Sequence, residues 1–354
     1  MSSNMSSPLK FADTGFDIVD TSKKFEEETL PDYHPADYYP ARIGQVESRY
    51  VSLKISTAGY STQNNEIDIY KQLESAALET DHVGKTLYRQ LYGSFDITAP
   101  HGTTHTCLVQ QPLGLSMDQY LDLRHPGLLS TDLLKPMLPS LLIALDFVHI
   151  AGVVLHTDFG DARLISKTQP GEFIMPHHYR APEAILNMEW NDKVDIWNIA
   201  VLVTLGPRVT WPSFRCARIV EDGIQEVIRI AEMIAIMGPP PKEYLERSEG
   251  CKVFWDENAM LPSFDSTSSA FALFYLWKWK NLTPIPDITL ESLAIDVQGE
   301  DKEGFLSFLR KILRWVPEER PTAGELVESS STEGQKQWKY HKTFIQCKDE
   351  TGTS

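Results

Sequence analysis

The sequence predicts an α+β protein in two lobes: a small, strand-bearing lobe over 33–112 and a larger, mostly helical lobe over 113–340. Three observations lead there. A strictly alternating stretch stands near the front, a Pro/Gly break follows it, and beyond the break segment after segment spaces its apolar residues as a helix does. A chain of 354 residues, 42% hydrophobic, is long enough to bury two cores.

Residues 1–32 carry Ser, Thr, Lys and Glu without sustained periodicity and with little apolar content, the pattern of a flexible arm. They lack the basic start, apolar run and small-residue cleavage site of a secretory signal, so export is not expected. Tyr50 to Ser56 alternates, with Val51, Leu53 and Ile55 on one face and Tyr50, Ser52, Lys54 and Ser56 on the other, which predicts a half-buried strand with Lys54 turned from the apolar face. Asn64 and Asn65 are placed to cap a helix that turns Ile67, Tyr70, Leu73 and Ala77 inward. Thr106 to Gln110 is β-prone and runs into Gln111-Pro112-Leu113-Gly114, which closes the small lobe.

The large lobe opens with Leu134, Leu138, Leu141, Leu145 and Val148 at helical spacing, and Pro136 and Pro139 predict that this helix starts late or bends. Ile224 to Met237 turns Ile224, Val227, Ile228, Ala231 and Ala235 inward and stops at Gly238-Pro239-Pro240-Pro241. Phe305, Phe308, Leu309, Ile312 and Leu313 form another buried stripe, and Thr322 with Glu325 is a capping box for a short final helix before a tail at 341–354. Cys251 to Leu282 is rich in aromatics but aperiodic and predicts no element. The longest apolar stretch, Leu141 to Leu155, is broken by Asp146 and His149 and is too short for a bilayer, so no membrane association is expected.

Cys107, Cys216, Cys251 and Cys347 are scattered and form no CxxC pair, so neither a disulfide framework nor a zinc site is signalled; reduced thiols in cytoplasm or nucleus fit. A net charge of -16 disfavours direct nucleic-acid binding. It reads either as plain solubility or as attraction for a basic partner.

Tyr179-Arg180-Ala181-Pro182-Glu183, then Asp195-Ile196-Trp197, then Arg320 resemble the Ala-Pro-Glu motif, the Asp-x-Trp of the next helix and the late Arg of eukaryotic-type protein kinases. Ala231 to Ala235 with the following Gly-Pro-Pro-Pro, and the block from Phe305 to Pro321, resemble the SR-protein kinases in their fungal branch. The likeness spans roughly Tyr33 to Leu326. It implies a two-lobed protein kinase fold with a truncated small β lobe, using ATP and Mg to phosphorylate serine in Arg-Ser-rich proteins as a monomer. In such a protein Glu183 pairs with Arg320, and Asp195 holds the catalytic loop's backbone from below. Lys54, in Val51-Ser52-Leu53-Lys54, resembles the lysine that contacts nucleotide phosphates, with Glu66 as its helix partner. The adenine-gripping hinge falls at Gln110 to Leu113, with Gln111 and Leu113 as the ATP-binding positions.

Two parts of that pattern are missing. Only Gly44 stands between Pro40 and Lys54, where a Gly-rich loop must let backbone N–H groups approach the phosphates. His156-Thr157-Asp158-Phe159-Gly160 reads as the catalytic loop fused to the metal-binding Asp-Phe-Gly, so Asp158 stands for two aspartates and is assigned mainly to magnesium. Where the second metal's Asn is wanted, the sequence has Arg163, which offers a metal no lone pair. Clean cuts between well-matched flanks predict excision of whole segments. The expectation is a Ser/Thr protein kinase impaired in transfer, or a pseudokinase that binds basic segments.

Overall fold

The computed structural model describes residues 34, 37, 51–57, 65–100, 102–116, 119, 131–155, 159–165, 174–175, 179–205, 222–256, 278–293 and 300–332. The N-terminal arm, the stretch around Gly44, the C-terminal tail and Asp158 lie outside them. The chain divides into two units: 1–64 with 89–116, and 65–88 with 117–354.

The first unit is a three-stranded antiparallel sheet of β1 (Ser52–Ile55), β2 (Leu91–Thr98) and β3 (Thr104–Gln110) in the order β1-β3-β2. Leu53 pairs with Val109, Lys54 with Leu108 and Ile55 with Cys107, while Phe95 opposes Cys107 and Ile97 opposes His105. Pleating therefore gathers Leu53, Ile55, Phe95, Ile97, Cys107 and Val109 on one face and sets Lys54, Ser94 and Leu108 on the other. The expected alternation is present, but the expected burial is not. Leu53 and Phe95, on the two edge strands β1 and β2, are each 45% exposed, whereas Cys107 on the central strand β3 is buried.

The second unit begins with α1 (Glu66–Glu79). Its buried stripe is Glu66, Ile69, Tyr70 and Leu73, so Ile69 takes the place expected of Ile67, and Asn65 makes no side-chain cap. Next comes α2 (Thr131–Ile150), which contains both Pro136 and Pro139. Of the two outcomes read from the prolines, a late start or a bend, the late start is corrected. Burial of Leu138, Leu142, Leu145, Phe147 and Val148 outweighs the backbone bonds the prolines cannot make. Two short strands, β4 (Val153–Val154) and β5 (Arg163–Leu164), pair antiparallel.

After α3 (Pro182–Ile185), helix α4 (Lys193–Leu205) is apolar on every side and forms the centre of the core through Val194, Ile196, Trp197, Ala200 and Val201. α5 (Asp222–Met237) ends as the sequence requires: Gly238 takes φ +76 and its N–H donates to Ile234 O at 2.9 Å. Its buried side differs from the expected one. Arg229 and Glu232, each 1% exposed, lie inside with Ile230, Ala231, Met233 and Ile234, while Val227, Ile228 and Ala235 are half-buried. Burial lowers the Arg229 guanidinium to about 10, opposed by the neighbouring Glu232.

After α6 (Lys242–Leu245), the aromatic stretch that predicted nothing supplies α7 (Cys251–Phe254) and a pairing of β6 (Trp255–Asp256) with β7 (Lys278–Trp279), where Phe254, Trp255, Trp279 and Trp315 pack ring on ring. α8 (Leu290–Leu293) and α9 (Glu300–Ile312) follow, the latter burying Phe305, Leu306, Leu309 and Ile312. In α10 (Ala323–Thr332) the capping box is reciprocal: the Thr322 N–H donates to Glu325 Oε2 at 2.8 Å and the Glu325 N–H to Thr322 Oγ1 at 3.1 Å. Among the described residues no helix is long and apolar enough to cross a membrane.

Candidate active site

Pro182 fixes the first turn of α3, and that turn carries Glu183 into the core at 0% exposure. Arg320, 2% exposed, meets it as a fork: Nη1 donates to Oε1 at 2.7 Å and Nη2 to Oε2 at 2.8 Å. Its remaining donors are taken by the carbonyls of Arg314 and Lys193, and the Trp197 ring lies 5.2 Å from the guanidinium carbon. Two buried charges persist because every donor and both carboxylate oxygens are engaged. The structure thus brings Glu183 and Arg320 together as a clamp between α3 and the turn before α10.

Asp195, on the first turn of α4 and 4% exposed, accepts on Oδ2 from the Leu155 N–H at 2.9 Å and from His149 Nε2 at 2.9 Å. Burial raises its carboxyl above the ordinary range, against the pull of His149. Leu155 immediately precedes His156, so Asp195 fixes the near end of the segment that carries Asp158. The far end is fixed by pairing: Val153 opposes Leu164, Val154 opposes Arg163, and the Ile165 N–H donates to Gly152 O at 2.9 Å. Phe159, next to Asp158 in the chain, sits edge-on to Tyr70 at 5.1 Å and to Tyr88 at 6.0 Å.

Arg163 Nη1 donates to Asp161 O at 2.8 Å. Among the described residues, which do not include Asp158, no group of three His, Cys, Asp or Glu could hold an ion.

Lys54 is exposed on β1, and Glu66, 3% exposed, opens α1. They belong to different units. Gln111 and Leu113 are both exposed in the first unit; Gln111 donates its N–H to Gln90 O at 2.9 Å and accepts on its carbonyl from Arg89 Nε at 3.0 Å. Sequence reasoning missed His149, Tyr70 and Tyr88. His149 meets Asp195 only through tertiary packing, and no local spacing marks it. The two tyrosines look like ordinary core residues until Phe159 is seen between them. Arg180 was read only as part of a motif; it also ties the Ile174 and Met175 carbonyls and pairs with Glu226.

A small antiparallel sheet carrying an exposed lysine, and a helical unit with a buried Glu–Arg clamp and an aspartate gripping the chain ahead of His156, together define the two-lobed protein kinase fold. The sequence matches the protein kinase domain over residues 90–331, and the chain belongs to that family. A serine/threonine protein kinase of Aspergillus fumigatus is 30% identical over 393 residues, covering 89% of this chain and 92% of the relative. The serine/threonine-protein kinase SRPK of Physarum polycephalum is 20% identical, covering 86% and 90%. Dual specificity tyrosine-phosphorylation-regulated kinase 3 of Rattus norvegicus is 24% identical over 63% of this chain and 40% of its own length.

Proposed function

We propose that this chain is a serine/threonine protein kinase-family protein of the Arg-Ser-recognising kind, acting as a monomer in cytoplasm or nucleus, with phosphoryl transfer severely impaired. The observation that carries the reading is the short link Leu155–Ala162, whose flanks are already paired as β4 and β5: of its two aspartates only Asp158 falls at a motif position, standing where the family uses two, while Asp161 follows the Phe-Gly. An alignment of 393 residues that draws on 89% of a 354-residue chain also has gaps on this chain's side, which supports lost internal segments. The acidic balance and the similarity to a kinase named SRPK support the substrate class.

We assign ATP contacts to Lys54 and to the hinge backbone at Gln111 and Leu113. Asp158 is the residue we assign to magnesium, and Arg163, which offers a metal no lone pair, favours a second reading: a pseudokinase module that binds basic segments without turnover. Inserting a family-like catalytic loop between Asp158 and Phe159, and a Gly-rich loop ahead of Lys54, tests the proposal. The expected result is a gain of orders of magnitude in phosphorylation of an Arg-Ser substrate. A restored chain no faster than the native one would remove the reading.

A further inference from the structure

The end of α5, the short helix α8, and the close of α9 with the turn after it enclose a cleft of about 520 Å3, wholly within the second unit. Its walls are fixed to one another. Gly238 turns the chain out of α5 at φ +76, and the Trp315 Nε1–H donates to the Gly238 carbonyl at 2.9 Å. Arg310 on α9 donates to Glu291 on α8 and, at 3.4 Å, to Glu303. At the start of α8, the Thr289 N–H donates to Ser292 Oγ at 2.9 Å and the Ser292 N–H to Thr289 Oγ1 at 3.1 Å. Half-buried Ile236, Met237 and Val316, packed against the core, supply the apolar part of the lining.

Four charges line the cleft, two of each sign: Arg310, Arg314, Glu291 and Glu319. Arg310 and Glu291 satisfy each other. On the turn that follows, Glu318 is taken by Arg247 and Arg320 by Glu183. Arg314 and Glu319 are left over. Among the described residues neither side chain has a hydrogen bond or an ion pair, and the two do not pair with each other. The net charge is -16, so carboxylates are plentiful in this chain, yet none described reaches Arg314.

We propose that this cleft docks a short peptide segment in which an acidic and a basic residue flank apolar ones. The acidic residue pairs with Arg314, the basic one with Glu319, and the apolar residues rest on Ile236, Met237 and Val316. A purely anionic ligand would meet Glu319 and a purely cationic one Arg314, each a like-charge contact that opposes binding. The volume lies in the range that takes a drug-sized body, more than a single side chain fills. Occupancy requires neither ATP nor turnover.

Fluorescence anisotropy with the full chain tests it, using two labelled, capped probes: Gly-Asp-Leu-Leu-Lys-Gly and the same peptide with Asp and Lys exchanged. The native chain should bind one probe in preference to the other. Arg314→Glu and Glu319→Lys should each weaken that binding about tenfold, and the double variant should invert the preference between the probes. The two substitutions move the net charge in opposite directions, so a loss common to both reads the local pairs. Both side chains are exposed, and an unchanged urea midpoint shows that the variants fold. An all-basic Arg-Ser peptide should not displace the bound probe. Neither probe binding the native chain up to about 1 mM would overturn the proposal, as would an unaltered preference in the double variant or displacement by the Arg-Ser peptide.

Discussion

Arg320 and Glu183 form a buried ion pair. Truncating one partner of a buried ion pair strands the other, which typically costs about 3–5 kcal/mol out of a total stability of about 5–15 kcal/mol. Arg320→Ala should therefore lower the denaturant midpoint sharply, measured by urea unfolding; a variant that unfolds with the native midpoint contradicts the clamp. Asp195 gives a pH signature. Its folded-state value is raised, chiefly by burial, so the folded protein holds the proton more tightly than the unfolded chain. That contribution is fully present below the ordinary carboxylate value of about 3.9 and is lost as pH rises through the raised value. Asp195→Asn should remove this part of the stability profile. At this scale the partnership of Glu183 with Arg320 was legible through the resemblance of their motifs to those of protein kinases, and the structure joins the two as a buried fork. His149 was illegible because its partner lies far along the chain.

At the scale of elements, ends were easier to read than faces. The box at Thr322 and Glu325 and the stop at Gly238 follow from local backbone chemistry, and both appear as read. Thr322→Ala should cost about 1 kcal/mol, seen as a small fall in midpoint without a change of slope; no fall at all would mean that the box adds nothing. Faces depend on neighbours. In α1, Tyr70 and Leu73 fit two overlapping stripes, and the choice of Ile69 over Ile67 was settled by what α2 and β4 present. In α5, Gln225, Arg229 and Glu232 recur at helical spacing as a polar stripe, so periodicity assigns them to solvent, yet all three are buried. The prolines of α2 did not delay its start, since tertiary burial overrode a strong local rule.

For the whole molecule, the charge of -16 and the family together predict that binding of an Arg-Ser peptide weakens steeply with salt, because exposed charges are screened over about 8 Å at physiological ionic strength. Affinity unchanged between low and high salt, measured by fluorescence anisotropy, would reduce the acidic composition to solubility. The central claim is chemical, and its most direct measurement is turnover: purified chain, excess Mg-ATP, an Arg-Ser substrate and direct counting of transferred phosphate. Positioning and electrostatics supply nearly all of phosphoryl-transfer catalysis, and kinases with the full machinery turn over at about 1–100 per second. The account predicts transfer orders of magnitude below that range; turnover within it, abolished by Asp158→Ala, would contradict the account.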